Sequence, residues 1–148
     1  YLSAQSVAYA NERTQFGKPI GKFQAIQQQL AVLSTQAAAC GVITDFACAQ
    51  VVKRGAEAAF EIAAAKIRVD DASSIATSIA HQVHGAIGFT HEHALHLTTR
   101  RLWSWRSEFG SLTDWSQQLG RALCGAGSQA LWPSVTAGVL AAYQETAA

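Results

Sequence analysis

The sequence predicts an all-α protein, an up-down four-helix bundle of long antiparallel helices, and three observations carry that prediction. Proline occurs only at Pro19 and Pro133, and glycine is sparse in the first half, so long segments run without a helix breaker. Within them, apolar residues recur at steps of three and four, the period of one helix face. No alternating strand pattern competes with that period. Helices of about 30 residues joined by short loops pack antiparallel, which makes a bundle the natural arrangement.

The first helix is expected from Tyr1 to about Arg13, ended by Gly17-Lys18-Pro19. The second runs from about Lys22 to Arg54, with Ile26, Leu30, Leu33, Ala37, Cys40, Ile43 and Phe46 as its apolar stripe and Gly55 as its C-cap. The third covers about Glu57 to Val83, with Ile62, Val69, Ala72, Ala76, Ile79 and Val83 on one face, and Gly85 and Gly88 close it. A fourth spans roughly Ala94 to Arg106. The fifth starts near Leu112, capped by Ser111 or Thr113, and continues to about Tyr143; Pro133 is expected to kink it or break it in two.

Composition narrows what such a protein does. At 148 residues the chain is the size of one domain and can bury a core. Charged residues make up 14%, low against the roughly 25% of ordinary soluble domains, so part of the surface is expected to be covered by an oligomer interface or another domain. A net charge of +1 gives no electrostatic case for nucleic acid or an acidic membrane. No run of about 18 uninterrupted apolar residues appears, so no membrane span is expected. Cys40, Cys48 and Cys124 have no metal-like spacing. They read as small core residues in a reducing, cytoplasmic setting. Methionine is absent even at position 1, and the opening residues read as mid-helix. The expectation is a single helical domain over residues 1–148, a fragment of a longer chain.

Two segments carry possible chemistry. Arg13-Thr14-Gln15-Phe16-Gly17-Lys18-Pro19-Ile20 gathers a guanidinium, an amide and an aromatic ring around a tight turn. The planar fork of arginine suits phosphate oxygens, and a ring can cover an adenine or a flavin. Read alone, Arg13 equally serves as a surface cation complementing a helix C-terminus. Gln82-Val83-His84-Gly85-Ala86-Ile87-Gly88-Phe89 places glycines at a helix end, where a ligand can approach the backbone closely. Alone, it equally serves as a helix terminator, and it is not a strand-turn-helix dinucleotide fingerprint.

Taken together, the two segments resemble the C-terminal domain of the acyl-CoA dehydrogenases from the first residue to about Gly110. That family carries Arg-x-x-Phe-Gly at the end of the first bundle helix, and here Phe23-Gln24 stands where a Phe-Gln or His-Gln pair follows. The later Gln-x-x-Gly-Gly-x-Gly-Phe/Tyr is matched by Gln82 to Phe89, then Glu92 and Arg100-Arg101, at the family separation.

The resemblance implies FAD as cofactor, an acyl-CoA thioester as substrate of the full protein, a homo- or hetero-oligomer and an electron-transfer acceptor. By the same correspondence, Arg13 and Gln15 contact the FAD pyrophosphate of a neighbouring subunit, and Phe16 and Gln24 lie against that cofactor. Gln82 and the backbone at Gly85 and Ala86 receive its adenosine end. Ala86 departs from the family, since a second glycine usually stands there; its methyl is expected to crowd the adenosine or weaken binding.

In the family a glutamate takes the α-proton and flavin N5 receives the β-hydride. Counted without gaps from Gly85, the usual glutamate position falls on Phe109, which cannot accept a proton. Glu108 is adjacent, but a one-residue step on a helix turns a side chain by about 100°. A branch of the family takes the base from the preceding helix, before Tyr1. No catalytic residue is therefore assigned in this chain. An alternative follows from Phe109 and Ala86: a degenerate, non-catalytic partner subunit of a hetero-oligomeric acyl-CoA dehydrogenase, of the kind used in steroid breakdown.

His81, His84, His91, His93 and His96 cluster in the sequence, but His91-Glu92-His93 is not a zinc pattern, and no metal ligand is assigned. His84 or His91 reads more naturally as a residue of the cofactor loop. Trp103 and Trp105 are two apart and cannot share a helix face, so one of them is expected to face a partner or a further domain.

Overall fold

The computed structural model describes residues 1–137. Helix α1 spans Leu2–Glu12, followed by the two-residue strands β1 (Thr14–Gln15) and β2 (Lys18–Pro19) and a 3-10 turn at Ile20–Lys22. Helix α2 spans Gln24–Arg54, and a 3-10 turn at Gly55–Ala58 leads into α3 (Ala59–His84). A 3-10 turn at Gly85–Phe89 precedes α4 (Leu95–Trp105), α5 (Leu112–Ala126) and α6 (Ser128–Ala137). The all-α class holds, and the first four helices lie within two residues of their expected bounds.

The chain forms two compact units. One joins residues 1–39 to 72–106; the other joins residues 40–71 to the chain from Ser107 onward. In the first, Leu2, Ala80 and Leu95 are buried together, with Ala76 and Leu102 packed against them. The cluster is small because alanine contributes little apolar area per residue. A second buried row is polar: Trp103 Nε1–H donates to Thr77 Oγ1 at 3.0 Å, and the Thr77 hydroxyl donates to the Ser73 carbonyl at 2.8 Å. Trp103 remains 44% exposed and Trp105 52% exposed, the latter under the Arg101 guanidinium.

In the second unit, Ala63 is buried beneath Trp115, Leu119, Ala122, Leu123 and Ala126 of α5, a stripe at helical spacing. Ser111, rather than Thr113, caps α5. Its hydroxyl accepts from the Asp114 amide, and the Asp114 carboxylate accepts from the Ser111 amide at 2.9 Å, a reciprocal capping box. These bonds hold the Asp114 carboxyl below its ordinary range. Arg54 pairs with the buried Glu61 across the turn between α2 and α3. Lys66 pairs with the buried Asp70 at 3.0 Å.

Several expectations are corrected. The segment after α1 is a hairpin, with Thr14 opposite Pro19 and Gln15 opposite Lys18. Phe16 and Gly17 both take positive φ, 52° and 78°, as the tight type I′ hairpin turn requires. The break in the last helical segment falls at Gly127 (φ 83°), and Pro133 is accommodated inside α6. The part of that segment expected beyond residue 137, to Tyr143, lies outside the described residues. Cys40 is half-buried, whereas Cys48 and Cys124 are exposed rather than in the core.

In α2 the stripe follows steps of seven, with Leu33 and Ala47 buried and Cys40 between them, so Phe46 is left 45% exposed. The final step of the stripe is four residues, not three. On α3, Ile62 is likewise 38% exposed. The helical stretch Gln24–Phe89 also includes an 18-residue window apolar enough, by composition, to cross a bilayer. Length and composition of this kind are shared by core helices of soluble proteins.

Candidate functional site

Within the first unit, an open cleft of about 320 Å³ lies between two segments that are far apart in the chain. Tyr9, Arg13, Gln15 and Ile20 line one side, and Val83, His84, Gly85, Ala86 and Ile87 line the other. Four of the seven residues expected from the sequence (Arg13, Gln15, Gly85 and Ala86) thus meet in one place.

Each wall has a local cause. Arg13 ends α1 in an extended conformation, φ −69° and ψ 116°, which turns the chain into the hairpin. Its carbonyl accepts from the Ile20 amide at 2.8 Å, closing the hairpin base. The close approach of Gly21 to α1 permits this path, since a Cβ there would lie 3.1 Å from the Ala10 carbonyl oxygen. Arg13 and Gln15 are both exposed and so present their donors to solvent and to the cleft. On the opposite wall, Gly85 leaves α3 at φ 64°, a conformation that glycine takes without penalty. Ala86 is exposed on the cleft wall.

The remaining expected residues do not line the cleft. Phe16 occupies the hairpin tip, 90% exposed, its ring edge-on to Phe23 at 6.2 Å. Gln24 is exposed at the first position of α2, and Gln82 is exposed on the last turn of α3. Ile20, Val83, His84 and Ile87 line the cleft from within the two segments named from the sequence, and Tyr9 lies outside both. Tyr9 had one available signal, standing four residues before Arg13 and hence on the same helix face.

His84 is the most constrained residue of the cleft, at 3% exposure. Its Nδ1 lies 2.7 Å from the Ala80 carbonyl oxygen, which can only accept, so Nδ1 carries the proton. Its Nε2 is buried and has no hydrogen-bond partner among the described residues. The ring stacks on Tyr9 at 4.3 Å and meets the edge of His93 at 4.9 Å. Burial lowers the His84 pKa; the bond to Ala80 opposes this, and the neighbouring His93 and His81 add to it. His81 is also lowered by burial, stacked on Phe89 at 4.3 Å with Nε2 3.0 Å from the Thr99 hydroxyl. Among the described residues, no three histidine, cysteine or acidic side chains form a group suited to a metal.

Phe109 belongs to the second unit. It holds a left-handed backbone, φ 59°, and is 92% exposed. Its carbonyl accepts from Trp115 Nε1–H at 2.9 Å. Gly110 follows at φ 97°, where a Cβ would lie 2.9 Å from the same indole nitrogen. Glu108 is exposed.

Fold and cleft together define a helical domain in which a basic hairpin faces a glycine turn at the end of a long helix. The profile of the acyl-CoA dehydrogenase C-terminal domain matches residues 2–111, and the chain belongs to that family. Acyl-CoA dehydrogenase IpdE2 of Mycobacterium tuberculosis is 36% identical over 96 residues, covering 65% of this chain and 28% of that protein. Among solved structures, the ChsE4-ChsE5 complex from Mycobacterium tuberculosis is similar at TM-score 0.78 and 25% identity, over 83% of this chain and 33% of that one. The FAD complex of PigA shares the fold at TM-score 0.75 and 24% identity, over 85% and 33%. The chain spans a third or less of the length of each of these proteins.

Proposed function

We propose that this chain is the C-terminal FAD-binding and oligomerisation domain of a flavoenzyme that α,β-dehydrogenates an acyl-CoA thioester. In this reading it works in the cytoplasm with a preceding helical domain and a middle β domain. The observation that carries the proposal is the meeting of Arg13 and Gln15 with Gly85 and Ala86 in one cleft. A pyrophosphate suits this donor set. Arg13 supplies a planar, permanently charged fork, Gln15 supplies an amide, and the glycine turn lets a ligand approach the backbone. The cleft volume suits part of a dinucleotide rather than the whole molecule.

When bound, FAD supplies the hydride acceptor for the dehydrogenation. The residues of this chain bind and orient. Arg13 and Gln15 hold negative charge, Phe16 and Gln24 lie along the cofactor, and Gln82 with the Gly85–Ala86 backbone receives the adenosine. No part in moving the α-proton is assigned to them, and Phe109, at the position taken for the usual base, has no group that accepts one. The acyl-CoA pocket and the contacts to an electron-transfer acceptor are assigned to the other domains.

A second reading is favoured by the presentation of Phe109, an exposed apolar side chain on a left-handed backbone. In that reading the chain belongs to a non-catalytic subunit paired with an unlike, catalytic one, and Ala86 marks a weakened cofactor site.

The test is to purify the isolated chain and the assembled protein and record flavin absorbance and acyl-CoA-dependent dye reduction. The expected result is a yellow, active assembly and an isolated chain that neither retains FAD nor turns over. An isolated chain that does both contradicts the proposal. A colourless, inactive homo-oligomer that gains flavin and activity with an unlike subunit selects the second reading.

A further inference from the structure

We propose that Tyr9 is the positioning residue of the cleft, locking the arginine-bearing end of α1 to the glycine turn through His84; this rests on reading the cleft as an anion site.

Tyr9 reaches from α1 to the far wall through two contacts with His84, and a third contact meets His93 in the loop that follows. Its ring stacks on the His84 imidazole at 4.3 Å and 22°. Its hydroxyl donates to the His84 carbonyl at 3.3 Å. The same ring meets His93 edge-on at 5.8 Å. His84 is the last residue of α3, so its carbonyl is one of the terminal acceptors that the helix cannot satisfy internally. The tyrosine hydroxyl therefore caps α3 from another helix, at the residue before the positive-φ Gly85.

Each side of this contact is itself fixed. The His84 ring is held by its bond to Ala80, and Gly88 packs so closely that a Cβ there would lie 3.0 Å from the His84 Cβ. Arg13 follows Tyr9 by one helical turn and is anchored by the Ile20 amide. Displacing the Tyr9 ring thus moves the guanidinium relative to the Gly85–Ile87 backbone without altering a side chain that would touch the ligand's charge. Charge-assisted recognition is sensitive to such displacement, since bidentate contacts need both partners in register.

The experiment is a double-mutant cycle on the 148-residue chain, with ADP as the probe and binding followed by the amide signals of Gly85, Ala86 and Ile87. Tyr9→Leu is expected to weaken ADP by about tenfold or more while helix content is retained. Tyr9→Phe, which keeps the stack and loses only the long hydroxyl contact, should recover most of that affinity. In an Arg13→Ala background, Tyr9→Leu should cost little further, because the two residues act as one unit. Losses that simply add, or unchanged affinity in Tyr9→Leu, overturn the inference. Should the wild-type chain show no ADP binding, the anion-site reading fails, and the lock is judged by the same amides without ligand. Gly85–Ile87 signals that stay unmoved in Tyr9→Leu would then refute it, and displaced signals would sustain it.

Discussion

Gly88 packs directly against His84 and Leu95: a Cβ on Gly88 would stand 2.8 Å from Leu95 Cδ2 and 3.0 Å from the His84 Cβ. Leu95 is fully buried and His84 nearly so, so neither can withdraw without disturbing the core. Gly88→Ala is therefore expected to destabilise the protein by about 1–3 kcal/mol, the usual penalty of overpacking. Its effect on the cleft should exceed that of Gly85→Ala in space-filling terms, because nothing lies within 4 Å of a Cβ at Gly85, where only the positive φ resists substitution. Chemical denaturation of both variants checks this, and an unchanged midpoint for Gly88→Ala would refute it.

The buried imidazoles set a pH dependence. His84 and His81 have pKa values lowered in the fold, mainly by burial. A lowered imidazole pKa means that the unfolded chain binds protons first as pH falls. The stabilisation is fully present above the ordinary imidazole value of about 6.5 and is lost as pH falls through the folded values. Around His84, Tyr9 from α1 stacks on the ring, Arg13 just beyond α1 lines the same cleft, and His93 and His81 add to the lowering that the bond to Ala80 opposes. Melting temperature measured from pH 8 to pH 5 should fall most steeply below about pH 6.5. His84→Phe should flatten part of that slope, and an equally steep curve in the variant would assign the effect elsewhere.

The capping box of α5 predicts a separable loss. Ser111→Ala removes the hydroxyl that accepts from the Asp114 amide and leaves an unsatisfied helix N-terminus. The expected cost is about 1 kcal/mol, with little effect at the cleft, since both cap residues belong to the other unit. Thermal melts combined with ligand titration distinguish the two effects.

Glu108 is the carboxylate most easily mistaken for a base. In the proposed function the family's base position falls on Phe109, and on that reading Glu108→Gln in the assembled protein should leave dehydrogenation nearly unchanged. Lost turnover with FAD still bound would instead make Glu108 the proton acceptor.

The long helices were legible because breakers are rare and the apolar period persists across α2 and α3. What escaped was set by contacts rather than by period. The hairpin at Thr14–Pro19 depends on Phe16 adopting a left-handed backbone, which no phenylalanine announces. Pro133 looked like the stronger breaker, yet it sits within α6 with hydroxyls close by. The Ser134 hydroxyl donates to the Ala130 carbonyl and that of Thr136 to the Trp132 carbonyl, adding bonds around the proline. Gly127 ends α5 instead. Of the candidate site, Arg13, Gln15, Gly85 and Ala86 were singled out by motif spacing, and all four line the one cleft. Tyr9 was not singled out, because its place in the cleft exists only once two remote segments meet. Cys48 and Cys124 show the limit of composition, since a small apolar residue on a helix does not declare which face it occupies.

In the proposed function the cleft between the hairpin and the glycine turn holds the pyrophosphate of FAD, and Arg13→Ala in the assembled protein removes the cation that would grip it. Losing a charge-assisted, bidentate contact costs roughly 1.5–3 kcal/mol. The FAD dissociation constant, measured by flavin fluorescence on dilution, should therefore rise by about one to two decades while helix content is unchanged. FAD held as tightly by Arg13→Ala as by the wild type would contradict the account.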